Sequence, residues 1–226
     1  MVELLIAMVV GIIIMTAIYA MVNLSQGTSA GVGRRIATQQ DSRAVLDLMA
    51  MEVSMVSFNP SLTNATWTGN MLGSCSAVTM VPARLGIQVA GNATIGLAMD
   101  LSANNVIGDV PNEYIVYNYD AANRTITRST NCAPAEIILG GTGSPTMVRN
   151  TDTSPATPLF QYFNVAGTDI SANVIATPDT NIPLIKRIRI NIIADDPVVD
   201  PQGGSARVSR RIYSTDVLVR NHAFAP

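Results

Sequence analysis

Residues 4 to 33 carry no formal charge, and Leu4 to Val22 within MVELLIAMVVGIIIMTAIYAMV are almost purely apolar. As a helix, Leu4 to Val22 spans roughly 28 Å at about 1.5 Å per residue, enough to cross the hydrocarbon of a bilayer. A secretory signal peptide needs a positively charged stretch before its apolar region and a small-residue cleavage site after it. Thr28, Ser29 and Ala30 could supply the second, but an acid, Glu3, stands where the first should be. A membrane anchor is therefore favoured over a cleaved signal, and over a buried core helix. Composition agrees, because apolar residues make up 48% of the chain and charged ones only 13%. Much of this protein needs cover from a membrane or an assembly rather than from water.

Glu3 raises its own question. A carboxylate inside hydrocarbon costs about 2.5–3.5 kcal/mol on insertion scales, and such groups usually have a partner. Either Glu3 sits in the headgroup layer or it meets a cation on a neighbouring chain, since no basic side chain precedes Arg34. The net charge of −2 provides no basic field, so nucleic acid is not the expected partner.

Past the apolar run, RRIATQQDSRAVLDLMAMEVSMVSF reads as the same helix continuing. Ile36, Val45, Leu48, Met49, Met55 and Val56 fall broadly on one face. The break is expected at Asn59-Pro60, and a kink near Gly27, Gly31 or Gly33. Met49, Met51 and Met55 form a stripe better suited to packing on a sheet than to metal binding.

From Ser61 the texture changes to short Val, Ile and Tyr runs between Asn, Thr, Gly and Pro, which predicts strands. EYIVYNYDAANRTITRS gives two strands, 113–119 and 124–129, closed by a turn at 120–123. LFQYFNVAGTDI repeats that form with a turn near Gly167. LIKRIRINIIAD alternates Leu184, Ile188, Ile190 and Ile192 against Arg187, Arg189 and Asn191, as a half-buried strand does. ARVSRRIYSTDVLVRN supplies the last strand, with 195–205 as the connecting loop. The expected class is α+β, a long N-terminal helix packed on an antiparallel sheet body. Its parts are a hydrophobic helix (1–33), an amphipathic continuation (34–58) and a β-rich globular domain (59–226).

Catalytic signals are weak. His222 is the sole histidine and lies close to the C-terminal end, where a surface or strand-end role is expected. No GxSxG turn accompanies a serine, and GGTGS at 140–144 lacks the lysine and helix of a phosphate loop, so it reads as a mobile loop. Asp195, Asp196 and Asp200 fit no calcium-loop template and read as a solvated turn. No enzymatic activity, cofactor or metal is expected. Arg187, Arg189, Arg210 and Arg211 read as a solvated strand face.

VELLIAMVVGIIIMTAIYAMV closely resembles the start of mature type IV pilins and pseudopilins. In that family a prepilin peptidase cuts after a glycine and methylates a new N-terminus four residues before a glutamate, which neutralises the amino terminus of an adjacent subunit. Glu3 matches that glutamate. The basic leader, the glycine and the first two mature residues of the pattern lie outside this sequence, and Met1 stands where the family usually has leucine. Downstream, SRAVLDLMAMEV, YIVYNYDAANRTITR, LFQYFNVAG, IKRIRINIIA and STDVLVRN resemble, more weakly, the order of segments in PilW-type minor pilins.

The resemblance implies a docking role for Glu3, with Leu4, Leu5, Ile6, Val9, Val10, Ile12, Ile13, Ile14 and Ile18 in the membrane and later in the filament core. It implies a minor, low-copy structural subunit of a type IV pilus, of the kind often placed in the priming or tip complex, serving motility or adhesion. The partners would be other pilins, prepilin peptidase, inner-membrane assembly machinery and, before assembly, lipid. The alternatives are a minor pseudopilin of type II secretion, and a membrane-anchored periplasmic binding protein that does not polymerise. The body would start in the periplasm and become extracellular, or remain in a periplasmic pseudopilus. In that oxidising compartment Cys75 and Cys132, the two cysteines of the chain, are expected to close one disulfide.

Overall fold

In the computed structural model, which describes residues 2–141, 143–144, 146–198 and 207–224, one helix, α1 (Val2–Met55), dominates the outline. Its 54 residues reach about 81 Å at about 1.5 Å each. Only its second half meets the rest of the chain. Thr38, Ser42, Val45, Leu46, Met49, Glu52, Val53 and Val56 are buried, at intervals of three and four that mark one helical face. This face is offset from the expected one: Ile36 and Met55 are exposed, and Leu48 is only half-buried. Met49 packs in the core, whereas Met51 and Met55 face outward, so the methionine stripe does not pack as a unit. Helical structure runs unbroken through Gly27, Gly31 and Gly33, where a kink was expected.

The helix stops four residues before Asn59, without help from Pro60. Ser57 turns to a φ of 61° and sends its N–H to the Ala98 carbonyl at 3.0 Å. Gly86 makes that junction possible, because a Cβ there would lie 2.3 Å from the Ser57 nitrogen.

Five strands then form an antiparallel meander in chain order: β1 (Ile87–Ala90), β2 (Thr94–Ala98), β3 (Tyr114–Asp120), β4 (Thr125–Thr130) and β5 (Glu136–Gly140). The expected Tyr-rich hairpin is β3–β4, with Asp120 opposite Thr125 and its carboxylate accepting the Ala122 and Asn123 amides. Of the glycine-rich GGTGS, Thr142 lies outside the described residues. Gly140 takes a φ of 84° against β4, where a side chain would strike the Arg124 carbonyl.

A second antiparallel sheet is built on β8 (Arg187–Val198). β6 (Met147–Val148) and β7 (Phe160–Phe163) pair with it along one edge, and β9 (Arg207–Leu218) along the other. Phe160–Phe163 was expected to turn back on itself, but its return arm shrinks to a single bridge at Asp169, followed by the short helices α2 (Ser171–Ala176) and α3 (Pro178–Asn181). Its ladder bonds go to β8 instead. Ile188, Ile190 and Ile192 are buried as the alternation predicts, whereas Leu184 is exposed in a turn before the strand. Asn191 is buried too, because its amide donates to the Pro158 carbonyl and to Gln161. Residues 195–198, expected in a loop, continue β8 to Val198; the rest of the expected loop, 199–205, lies outside the described residues.

The main core joins the buried face of α1 to both sheets through residues such as Ile95, Leu97, Tyr117, Phe160, Tyr162 and Ile190. Tyr114 points to the opposite face of the first sheet. There it packs with Trp67, Met71, Cys75 and Met80 in a smaller cluster.

Candidate functional site

The first half of α1 is an apolar rod without a covering. Leu4, Leu5, Ile6, Val9, Val10, Ile12, Ile13, Ile14 and Ile18 are all exposed, from 48% at Val10 to 74% at Leu4. At about 25 cal/mol per Å² of apolar surface, leaving such a rod in water is strongly unfavourable, so lipid or other helices must enclose it. The helix is long and apolar enough to span a bilayer, and none of that stretch is buried against the body. Its few polar groups suit an apolar surrounding. The Thr16 hydroxyl, for instance, donates back to the Ile12 carbonyl at 2.6 Å.

Glu3 lies in the first turn of this rod, where a carboxylate also interacts favourably with the helix dipole. Among the described residues no side-chain cation pairs with it. Its partner must come from outside the described residues, from solvent or headgroups, or from another molecule.

How the rod is tied to the body was not foreseen. Glu52, buried on the inner face of α1, accepts from the Tyr117 hydroxyl of β3 and from two nitrogens of Arg128 on β4, Nη2 at 2.6 Å and Nε at 3.2 Å. The Glu52 hydrogen bonds raise the Arg128 pKa, while burial, reinforced by Glu52, pushes the Tyr117 phenol far up. Lower on the helix, the buried hydroxyls of Thr38 and Thr146 meet at 3.1 Å. A sequence signal for the clamp did exist: Glu52 is an acid one residue from Val53 and three from Met49, on a stretch of the face that is apolar from Val45 to Val56 apart from it.

Cys75 and Cys132 form the expected disulfide, with their Cα atoms 5.2 Å apart. It ties the smaller cluster to the turn between β4 and β5.

Three of the four arginines expected on a solvated face are paired. Arg187 and Arg189 both bond Asp216, at 2.5 and 2.7 Å, and lie over the Phe163 ring. Arg210 bonds Asp195, which is buried in β8 and also held by Arg149, not solvated in a turn. The Asp196 side chain and Asp200 lie outside the described residues. His222, expected at the surface or at a strand end, lies just past the end of β9 and is 2% exposed, so it is not a surface residue. Burial, with Lys186 nearby, lowers its pKa to about 4. Among the described residues no group of three His, Cys, Asp or Glu side chains could hold a metal.

A long N-terminal apolar helix laid on antiparallel sheets is a pilin-like shape. No protein-family model, curated protein or solved structure matches this chain.

Proposed function

We propose that this protein is a minor, pilin-like filament subunit that enters a type IV pilus by docking its apolar helix among those of its neighbours. The observation that carries the reading is the uncovered rod from Leu4 to Val22 with a single acid, Glu3, in its first turn. A simple anchor has no use for that acid, which costs about 2.5–3.5 kcal/mol in hydrocarbon. A docking helix does: Glu3 meets the amino terminus of an adjacent subunit, and the low-dielectric surroundings strengthen the pair. Before assembly the rod crosses the inner membrane and the disulfide-bonded body faces the periplasm. Afterwards the rod lies in the filament core and the body on its surface, in the priming or tip complex.

The test is Glu3→Ala in cells that assemble the filament, with the protein quantified in sheared filaments and in inner membranes. Normal membrane levels with loss from the filaments are expected. Incorporation at the unmodified level would overturn the docking role. Recovery of the unmodified protein only from the envelope would favour a secretion pseudopilin or a non-polymerising anchor.

A further inference from the structure

The end of the body farthest from the rod has its own cleft. Asn221 donates to the Val56 carbonyl at 3.1 Å just past the end of α1, and the Val219 N–H bonds the Lys186 carbonyl at 2.9 Å. The first residues of β8 and the last of β9 are thereby placed at this distal end. Between them and the turn after β7 opens a cleft of about 460 Å³, lined among others by Val165, Lys186, Arg187, Leu218 and Arg220.

Three features mark it as a binding surface. Val165 is 87% exposed, yet it is held on a hydrogen-bonded turn in which Asn164 accepts the Ala166 and Thr168 amides at 3.0 and 2.9 Å. Leu218, 58% exposed, supplies a second apolar contact. Arg187 is fixed by Asp216 and by the Phe163 ring; among the described residues Lys186 bonds a backbone oxygen, that of His222, and neither it nor Arg220 forms an ion pair. Cations are thus in excess on a rigid apolar surface within a chain whose net charge is −2. Rigid presentation lowers the entropy lost on binding.

A second copy of this chain is a poor occupant. Among the described side chains at the opposite end, where α1 enters the body, Arg34, Arg35, Arg43 and Arg211 outnumber Asp41 and Asp47, with Arg124 and Asp120 cancelling. Stacking copies end to end would set cations against cations.

We propose that the distal cleft docks an acidic, apolar-flanked segment of a different protein. That this partner is the next subunit of a filament rests on the functional reading above; the chemistry of the segment does not. A subunit that accepts a different chain at its distal end is suited to low copy number.

The experiment uses the full-length chain in detergent micelles and two fluorescent, end-blocked peptides, one alternating leucine with aspartate and the other leucine with asparagine. Anisotropy is expected to show the aspartate peptide binding about tenfold more tightly, with the difference shrinking as salt rises. Arg220→Glu and, separately, Val165→Asp should each weaken it about tenfold, with Trp67 fluorescence confirming the fold. Equal binding of the two peptides, indifference to Arg220→Glu, or a self-association of the chain that Arg220→Glu abolishes would overturn the proposal. Peptide binding in micelles needs no filament, so its failure is separable from failure of the Glu3 test.

Discussion

Glu52→Ala attacks the joint between rod and body. It leaves the Tyr117 hydroxyl without its acceptor and Arg128 without its carboxylate, in a place where Glu52 is 4% exposed and Tyr117 fully buried. Breaking one side of a buried ion pair costs about 3–5 kcal/mol, mostly because the remaining charge is stranded. The Arg128 side chain keeps 20% of its exposure and a bond to Asn112 at 2.9 Å, so partial rehydration puts the expected loss near the lower end, about 3 kcal/mol. For a body of this size that corresponds to a fall in Tm of roughly 6–12 °C. The assay is denaturant unfolding of the full chain in micelles, followed by the fluorescence of Trp67, the single tryptophan and itself 3% exposed. Tyr117→Phe removes one hydrogen bond from the same carboxylate and should cost only about 1 kcal/mol. A Glu52→Ala loss below about 1 kcal/mol, equal to that of Tyr117→Phe, would refute the stranded-charge argument.

Other perturbations reach different parts of the body. Replacing Cys75 and Cys132 together by serine opens a link between residues 57 positions apart, for an expected loss of about 4 kcal/mol in the chain-entropy account. Trp67, in the same cluster as Cys75, should report it by a red shift while far-UV helix signal persists; an unchanged denaturation midpoint would contradict the assignment. The buried imidazole of His222, with a pKa lowered to about 4, should make the body acid-sensitive. Because the unfolded chain takes up this proton near pH 6.5 and the folded one only near 4, stability falls across that window, by about 3 kcal/mol in total. His222→Gln should flatten the pH 4–6.5 dependence of the unfolding midpoint, and an unaltered slope would show that other groups set it.

What the sequence made legible was local. The uncharged run, the length of α1 and the β3–β4 hairpin follow from periodicity and turn chemistry confined to neighbouring residues. Features that depend on which distant segment arrives opposite were not legible. Asn191 looks like the solvent side of an alternating strand until Pro158 and Gln161 come within reach of its amide. Asp195 looks like a turn residue until Arg149 and Arg210 flank it on β6's side and on β9. His222, near the end of the chain, is buried where Lys186, 36 positions earlier in the sequence, reaches its carbonyl, and no nearby residue foretells that. Ile36 misled for the reverse reason: it is apolar, but it lies off the helical face that Thr38, Ser42 and Val45 turn toward the body.

Within the joint, adhesion and register come from different interactions. Val45, Leu46, Met49, Val53 and Val56 each gain about 1.5–3 kcal/mol on burial, so this stripe alone accounts for most of the attraction between α1 and the sheets. An apolar stripe, however, tolerates sliding, since a shift of one helical turn, about 5.4 Å, brings similar side chains into similar places. The Glu52 clamp does not tolerate it, because its three hydrogen bonds fix one carboxylate between β3 and β4. Buried ion pairs add little net stability over apolar replacements of similar volume, and a role in specifying one arrangement is the alternative reason for having one. Glu52→Met combined with Arg128→Leu and Tyr117→Phe, which leaves no member of the clamp unpaired, separates the two contributions. Unfolding should stay within about 1 kcal/mol of the unmodified chain. Spin labels at the exposed sites Met51 and Val89 should nevertheless give a broader distance distribution, reporting a helix that has lost its fixed register. A distribution as narrow as the original would mean that the stripe sets the register by itself, and that the body would follow the rod faithfully without the clamp.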